Sequence, residues 1–206
     1  MIHEILLSLS GHPSSLLNKN YSSSILSPPE KALLASIAHL SDIHCKLQTS
    51  TSTIVATHPS IICQAVAIAI RSKHLSRFQQ KVLDIEDSLL RKDVSRAREF
   101  TMLPLTAIVN EFSGWTRVMI WLHEIVEFIM GGCKTVSRRC SGAMVIDRLC
   151  DAMQTGYVDI GDTALSLVIA AETAWLKQIS AWVLYGRLPS FGREDFFVQT
   201  VAGDIQ

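Results

Sequence analysis

Charge is what this sequence has least of. Only 18% of its 206 residues are Asp, Glu, Lys or Arg, and 19 basic side chains balance 19 acidic ones. A neutral chain sets up no long-range field to attract nucleic acid or an anionic membrane, so neither is expected as a partner. Long uninterrupted apolar runs are also missing. Residues 61–70 are too few to cross a bilayer, and 103–130 are broken by Asn110, Glu111, Arg117 and Glu124. Met1-Ile2-His3-Glu4 lacks the cationic start of a signal peptide. The five cysteines (45, 63, 133, 140 and 150) are odd in number and irregular in spacing. That usage points to reduced thiols in a cytosolic chain rather than to a disulfide framework.

What the sequence does have is apolar residues at helical spacing. Hydrophobic residues make up 48% of the chain and the mean hydropathy is +0.26. This is enough for large buried faces, or for surface that awaits a partner. Ile2, Ile5, Leu6 and Leu9 predict a short helix that Gly11-His12-Pro13 stops. The serine-rich residues 14–27 read as a loop. Pro28-Pro29-Glu30 opens a second helix with Leu33, Leu34, Ile37, Leu40 and Leu47 on one side. The Ser/Thr-rich residues 48–57 read as a loop, with Thr57 capping one long helix over 61–89. Its basic side chains Arg71, Lys73, Arg77 and Lys81 read as a solvated face. Residues 94–112 look helical with a break near Pro104, and Ser113-Gly114 is a second weak point. Helix resumes over 115–130 until Gly131-Gly132, and again from Gly142 to Gly156. Asp162 or Thr163 caps a last long helix, its stripe running Leu165, Val168, Ile169, Trp175, Leu176, Ile179, Trp182, Val183. No segment joins strand alternation to hairpin turns. The expectation is an all-α protein of antiparallel helical bundles, elongated.

No catalytic constellation is visible. His123-Glu124-Ile125-Val126-Glu127 begins like the helix of a zinc protease, but that chemistry needs a second histidine where Glu127 stands. Cys133, Cys140 and Cys150 lack any CxxC or CxxH partner of structural-zinc spacing. Cys133 and Cys140 flank Lys134, Arg138 and Arg139, a basic segment without an assigned role. Gly131-Gly132-Cys133-Lys134-Thr135 does not meet phosphate-loop spacing, and no GxSxG elbow is present. The tryptophans 115, 121, 175 and 182 sit at helical positions among aliphatics, where core packing explains them. No enzyme, metal or cofactor is expected.

The most individual stretch is 179–198. A helix bearing Trp182 ends at Gly186, and an acidic residue, Glu194, precedes Phe196 and Phe197. This resembles a signature of the gamma-tubulin complex proteins. Gly142 followed by Val145-Ile146-Asp147-Arg148-Leu149 resembles the family's glycine-led short helix, and residues 1–13 resemble the start of family members. The Pro189-to-Arg193 turn departs from the family's aspartate-containing one. The resemblance implies a partial N-terminal helical domain over 1–206, with the C-terminal gamma-tubulin-binding domain lying outside it. It implies a non-catalytic scaffold in the cytoplasm and cytoskeleton, at a microtubule-organizing centre or spindle pole body. There it makes lateral contacts with neighbouring complex proteins and so builds the template for microtubule nucleation. Gamma-tubulin itself would be reached only through the missing region. Gly142, Leu149, Trp182, Gly186, Glu194, Phe196 and Phe197 would mainly hold the fold. Ile2, Ile5 and Leu9, and the face bearing Phe78, Val82, Ile85 and Leu89, are candidate lateral surface, with burial in the chain's own core as the competing reading. A helical tether or adaptor of vesicle traffic is the alternative function.

Overall fold

The structure, a computed structural model, describes residues 2–12, 27–95, 105–131, 140–188 and 195–198. Among these the chain folds into seven α-helices: α1 (Ile2–Leu9), α2 (Pro28–Thr57), α3 (Ile61–Ala69), α4 (Ser76–Ser95), α5 (Leu105–Ile129), α6 (Gly142–Met153) and α7 (Val158–Tyr185). A π-helical turn, Ile70–Leu75, joins α3 to α4. The fold is all-α, a helical bundle, as apolar residues recurring every three to four positions require. It divides into two compact units, Met1–Thr49 with Lys73–His123, and Ser50–Ser72 with Glu124–Gln206.

In the first unit α1 packs on α4. Ile5, Leu6 and Leu9 are buried on the inner side of α1 while Leu7 faces out. The Ser41 hydroxyl of α2 donates to the Ser8 carbonyl oxygen at 2.8 Å, so these buried hydroxyls are not left unpaired. Helix α2 starts with a capping box: Glu30 accepts from both the backbone N–H and the hydroxyl of Ser27, each at 2.9 Å. Phe78 centres an aromatic cluster, with ring centroids 5.0 Å from His44, 5.7 Å from Phe112 and 5.5 Å from Trp115. Burial holds the His44 imidazole below its ordinary pKa.

The predicted loop over 48–57 is instead the end of α2. Thr51 and Ile54 continue its buried stripe. The hydroxyls of Thr49 and Thr57 donate to the carbonyls of Cys45 and Thr53, four residues back, so the Ser/Thr content does not break the helix. The cap of α3 is not Thr57 but Ser60, whose hydroxyl accepts from the Cys63 N–H at 3.2 Å. The single helix expected over 61–89 is interrupted by the π turn, because Ile70 and Leu75 are both buried although five residues apart. Helix α5 runs unbroken through Ser113-Gly114, and Ser113 bonds back to the Asn110 carbonyl. The expected break at Pro104 and the basic segment at 134–139 lie outside the described residues.

In the second unit α3, α6 and α7 pack against one another. Ile62, Cys63, Val66 and Ala67 from α3, Val145 and Leu149 from α6, and Ala164, Leu167, Val168 and Ala171 from α7 form its core.

Candidate protein-interaction surface

The stretch that stood out in the sequence is a hook built on the end of α7. Gly186 takes φ +62, a left-handed conformation open to glycine at little cost. Its N–H donates to the Trp182 carbonyl at 2.8 Å, the 5→1 bond of an αL cap, and the Arg187 N–H reaches the Ala181 carbonyl at 3.4 Å. Trp182 lies edge-on to Phe196 (6.0 Å) and Phe197 (5.5 Å), whose rings are 4.7 Å apart. Phe196 is buried, Trp182 half-buried and Phe197 exposed, so only one member of the trio is a core side chain.

The same hook reaches α6. Asp195 Oδ1 accepts from the Gly142 N–H at 2.9 Å, and Ser141 caps the same helix end at the Met144 N–H. A carboxylate there also opposes the positive end of the helix dipole. A Cβ on residue 142 would lie 2.7 and 2.8 Å from Ile62 Cδ1 and Cβ, and 3.1 Å from Asp195 Oδ2. Glycine is therefore what lets α6 approach α3 so closely. Leu149, about two turns further along α6, is fully buried. Glu194, the acidic position the resemblance pointed to, lies outside the described residues; the carboxylate that makes the contact is its neighbour Asp195. The sequence reading missed Asp195 because only the fold reveals an N–H 53 residues away.

Beneath the hook is a small polar cluster. His58 Nδ1 accepts from the Ser60 N–H at 3.1 Å. Its ring is held more basic than an ordinary histidine, first by the hydrogen bond to the Cys63 sulfur and then, against burial, by the charges that include Asp195. The Cys63 thiol is pushed far up by its contact with Cys140 and by burial, which makes it a poor nucleophile. Among the described residues no three His, Cys, Asp or Glu side chains converge to hold a metal ion. His123 is half-buried and Glu127 exposed on α5.

The candidate lateral residues fall mostly inside. Ile5, Leu9, Phe78, Val82 and Leu89 are all buried, and Ile85 is half-buried; the side chain of Ile2 lies outside the described residues. Burial in the chain's own core, the reading set beside partner surface for these faces, is what these side chains show.

Among the described residues, exposed apolar surface lies on α7 instead. Ile160, Ala164, Leu167, Val168, Ala171 and Gln178 face the core. Half a helical turn away, Val158, Leu165, Ile169, Leu176 and Val183 face outward, 72%, 48%, 52%, 54% and 66% exposed. Leu184, Tyr185 and Trp175 extend the exposed surface. The predicted single stripe had merged two opposite faces, because α7 is apolar nearly all round. Trp175 is correspondingly not a core residue. By length and composition α7 is also apolar enough to cross a membrane, a test that core helices of globular proteins pass as well. Apolar patches beyond a few hundred Å² mark sites of association on folded proteins.

A family model described as the gamma tubulin complex component N-terminal region matches residues 2–204. No curated protein matches the chain.

Proposed function

The chain belongs to the gamma-tubulin complex component N-terminal family, and from that premise we propose that it is a non-catalytic scaffold that packs laterally against neighbouring gamma-tubulin complex proteins. Family membership makes it a component of the cytoskeletal machinery of microtubule nucleation. In the proposed role, its helical units set the spacing of neighbours in the assembly that templates a microtubule. The site of action is a microtubule-organizing centre or spindle pole body, and gamma-tubulin is held by other regions of the assembly.

The observation that carries this reading is the outward face of α7, where Val158, Leu165, Ile169, Leu176 and Val183 lie exposed on a helix whose opposite face is already packed. Burying one such aliphatic side chain gives about 1.5–3 kcal/mol, so a few of them sustain specific association. Purified chain is expected to cross-link to the N-terminal region of another family member, through residues on α7. Well-folded chain that shows no association with any family member tested contradicts the scaffold role.

A further inference from the structure

We propose that Cys63 and Cys140 are a redox-reactive pair, which hydrogen peroxide joins in a reversible disulfide that ties α3 to the start of α6. Such a bond lies inside the second unit and is independent of any partner on α7.

The two cysteines come together from different elements. Cys63 follows Ile62 near the start of α3, and Cys140 precedes Ser141 and Gly142, where α6 begins. A Cβ on residue 142 would lie 2.8 Å from the Ile62 Cβ. With about 1.5 Å from each Cβ to its Cα, the two backbones pass within about 6 Å, inside the roughly 4.4–6.8 Å that a disulfide spans between Cα atoms. One residue further along α3, and two residues before Gly142, the Cys63 and Cys140 thiols meet in a hydrogen bond. They are 0% and 8% exposed, and both are free thiols. The Ser60 cap of α3, the Ser141 cap of α6 and the bond from Gly142 to Asp195 hold both helix starts in place. Cys45, by contrast, belongs to the first unit, where it donates to the Gly11 carbonyl at 3.7 Å.

Cys140 is the more exposed sulfur and reacts first. It attacks one peroxide oxygen; an S–O bond forms, the O–O bond breaks and water leaves, giving a sulfenic acid. The Cys63 sulfur then attacks the Cys140 sulfur. An S–S bond forms, the S–O bond breaks, and hydroxide leaves with the Cys63 proton as water. Both thiols are thereby oxidised and the peroxide is reduced to water. Contact with Cys140 and burial hold the Cys63 proton on, against hydrogen bonds from His58 and Ser60 that favour the thiolate. Cys63 is therefore a slow resolving partner, and its fixed place beside Cys140 supplies what its thiolate fraction does not. A transient bond of this kind is compatible with a reducing compartment, where a permanent disulfide framework is not.

The test is peptide mapping of the whole chain after hydrogen peroxide treatment and blocking of the remaining thiols with N-ethylmaleimide. Oxidation of folded chain is expected to link Cys63 to Cys140 at least about tenfold over any link to Cys45, Cys133 or Cys150. Dithiothreitol should reverse it. The linked chain should unfold at higher urea than the reduced one, because the bond closes a long loop in the unfolded state. Cys140→Ser should leave Cys63 unmodified, and Cys63→Ser should leave a Cys140 sulfenic acid that dimedone traps. Where Cys63→Ser, at a fully buried position, disturbs folding, the parent's own map still decides. Cys140 recovered as sulfinic acid with Cys63 still a thiol, or equal linking of Cys140 to Cys133 or Cys150, overturns the proposal. So does a link between Cys63 and Cys140 that appears only in unfolding urea, or one that lowers the urea midpoint.

Discussion

Adding one methyl group at Gly142 should damage this fold more than adding one at Gly114, although both glycines sit in helices. At Gly142 the new Cβ meets Ile62 at 2.7 and 2.8 Å and the Asp195 carboxylate at 3.1 Å. The Ile62 Cδ1 can rotate away; its Cβ is tied to the α3 backbone and cannot. Either α6 moves off α3 or Asp195 gives up its 2.9 Å bond to the Gly142 N–H. Overpacking of this kind costs about 1–3 kcal/mol, and loss of a charged hydrogen bond at a helix end adds about 1 kcal/mol. The gain from replacing glycine in a helix, at most about 1 kcal/mol, does not offset both. At Gly114 nothing lies within 4 Å, so the same methyl group should stabilise by about 0.5–1 kcal/mol. Urea unfolding followed by circular dichroism measures both. Trimming the obstacle should rescue: Gly142→Ala with Ile62→Gly, which removes the Cβ as well as the Cδ1, is expected to cost clearly less than the sum of the single changes. Gly142→Ala as stable as the parent, or additive with Ile62→Gly, refutes the close approach of α3 and α6 as the reason for the glycine.

Asp195→Asn keeps the shape but removes the charge at the α6 N-terminus, and an unfolding loss of about 0.5–1.5 kcal/mol is expected, smaller at high salt. Trp182→Ala should cost about 2 kcal/mol by thermal unfolding, less than the ~3–5 of a fully buried aromatic, because its ring is half-exposed on the hook. His74, buried in the π turn beside Arg77 and Lys73, has its pKa lowered to about 4, first by burial and then by those two charges. A base with a depressed folded pKa contributes stability at neutral pH that is lost as pH falls from about 6.5 toward 4. His74→Gln should therefore flatten the fall in unfolding free energy over that window, on the order of 3 kcal/mol, and His44 accounts for slope that persists. Leu176→Glu should leave the unfolding free energy within about 0.5 kcal/mol of the parent, since its side chain is 54% exposed.

Helical class was readable from apolar spacing alone, and so were the stops at Gly131 and Gly186, where positive φ favours glycine. Ends and breaks were less so. Ser and Thr at 48–57 suggest a loop until their hydroxyls find carbonyls one turn back, and a π turn is invisible until Ile70 and Leu75 are each seen to be buried. The burial of the Phe78 face has a definite reason. Phe78 and Val82 on an otherwise polar helix look like partner surface, yet a polar helix has only that stripe to bury and spends it on its own unit. On α7, with few charges on any side, the sequence does not say which face is inner, and tertiary packing on α3 and α6 decides it. The family signature was legible in Trp182, Gly186 and Phe196; that Asp195 rather than Glu194 makes the helix-end contact required the fold.

The most direct measurement is one titration, done with the parent chain and with Leu176→Glu, of binding to the N-terminal region of a second gamma-tubulin complex protein. Saturable binding by the parent, weakened at least tenfold in the equally stable variant, is the expected result. Equal affinity of the two chains would contradict the assignment of assembly to the outer face of α7.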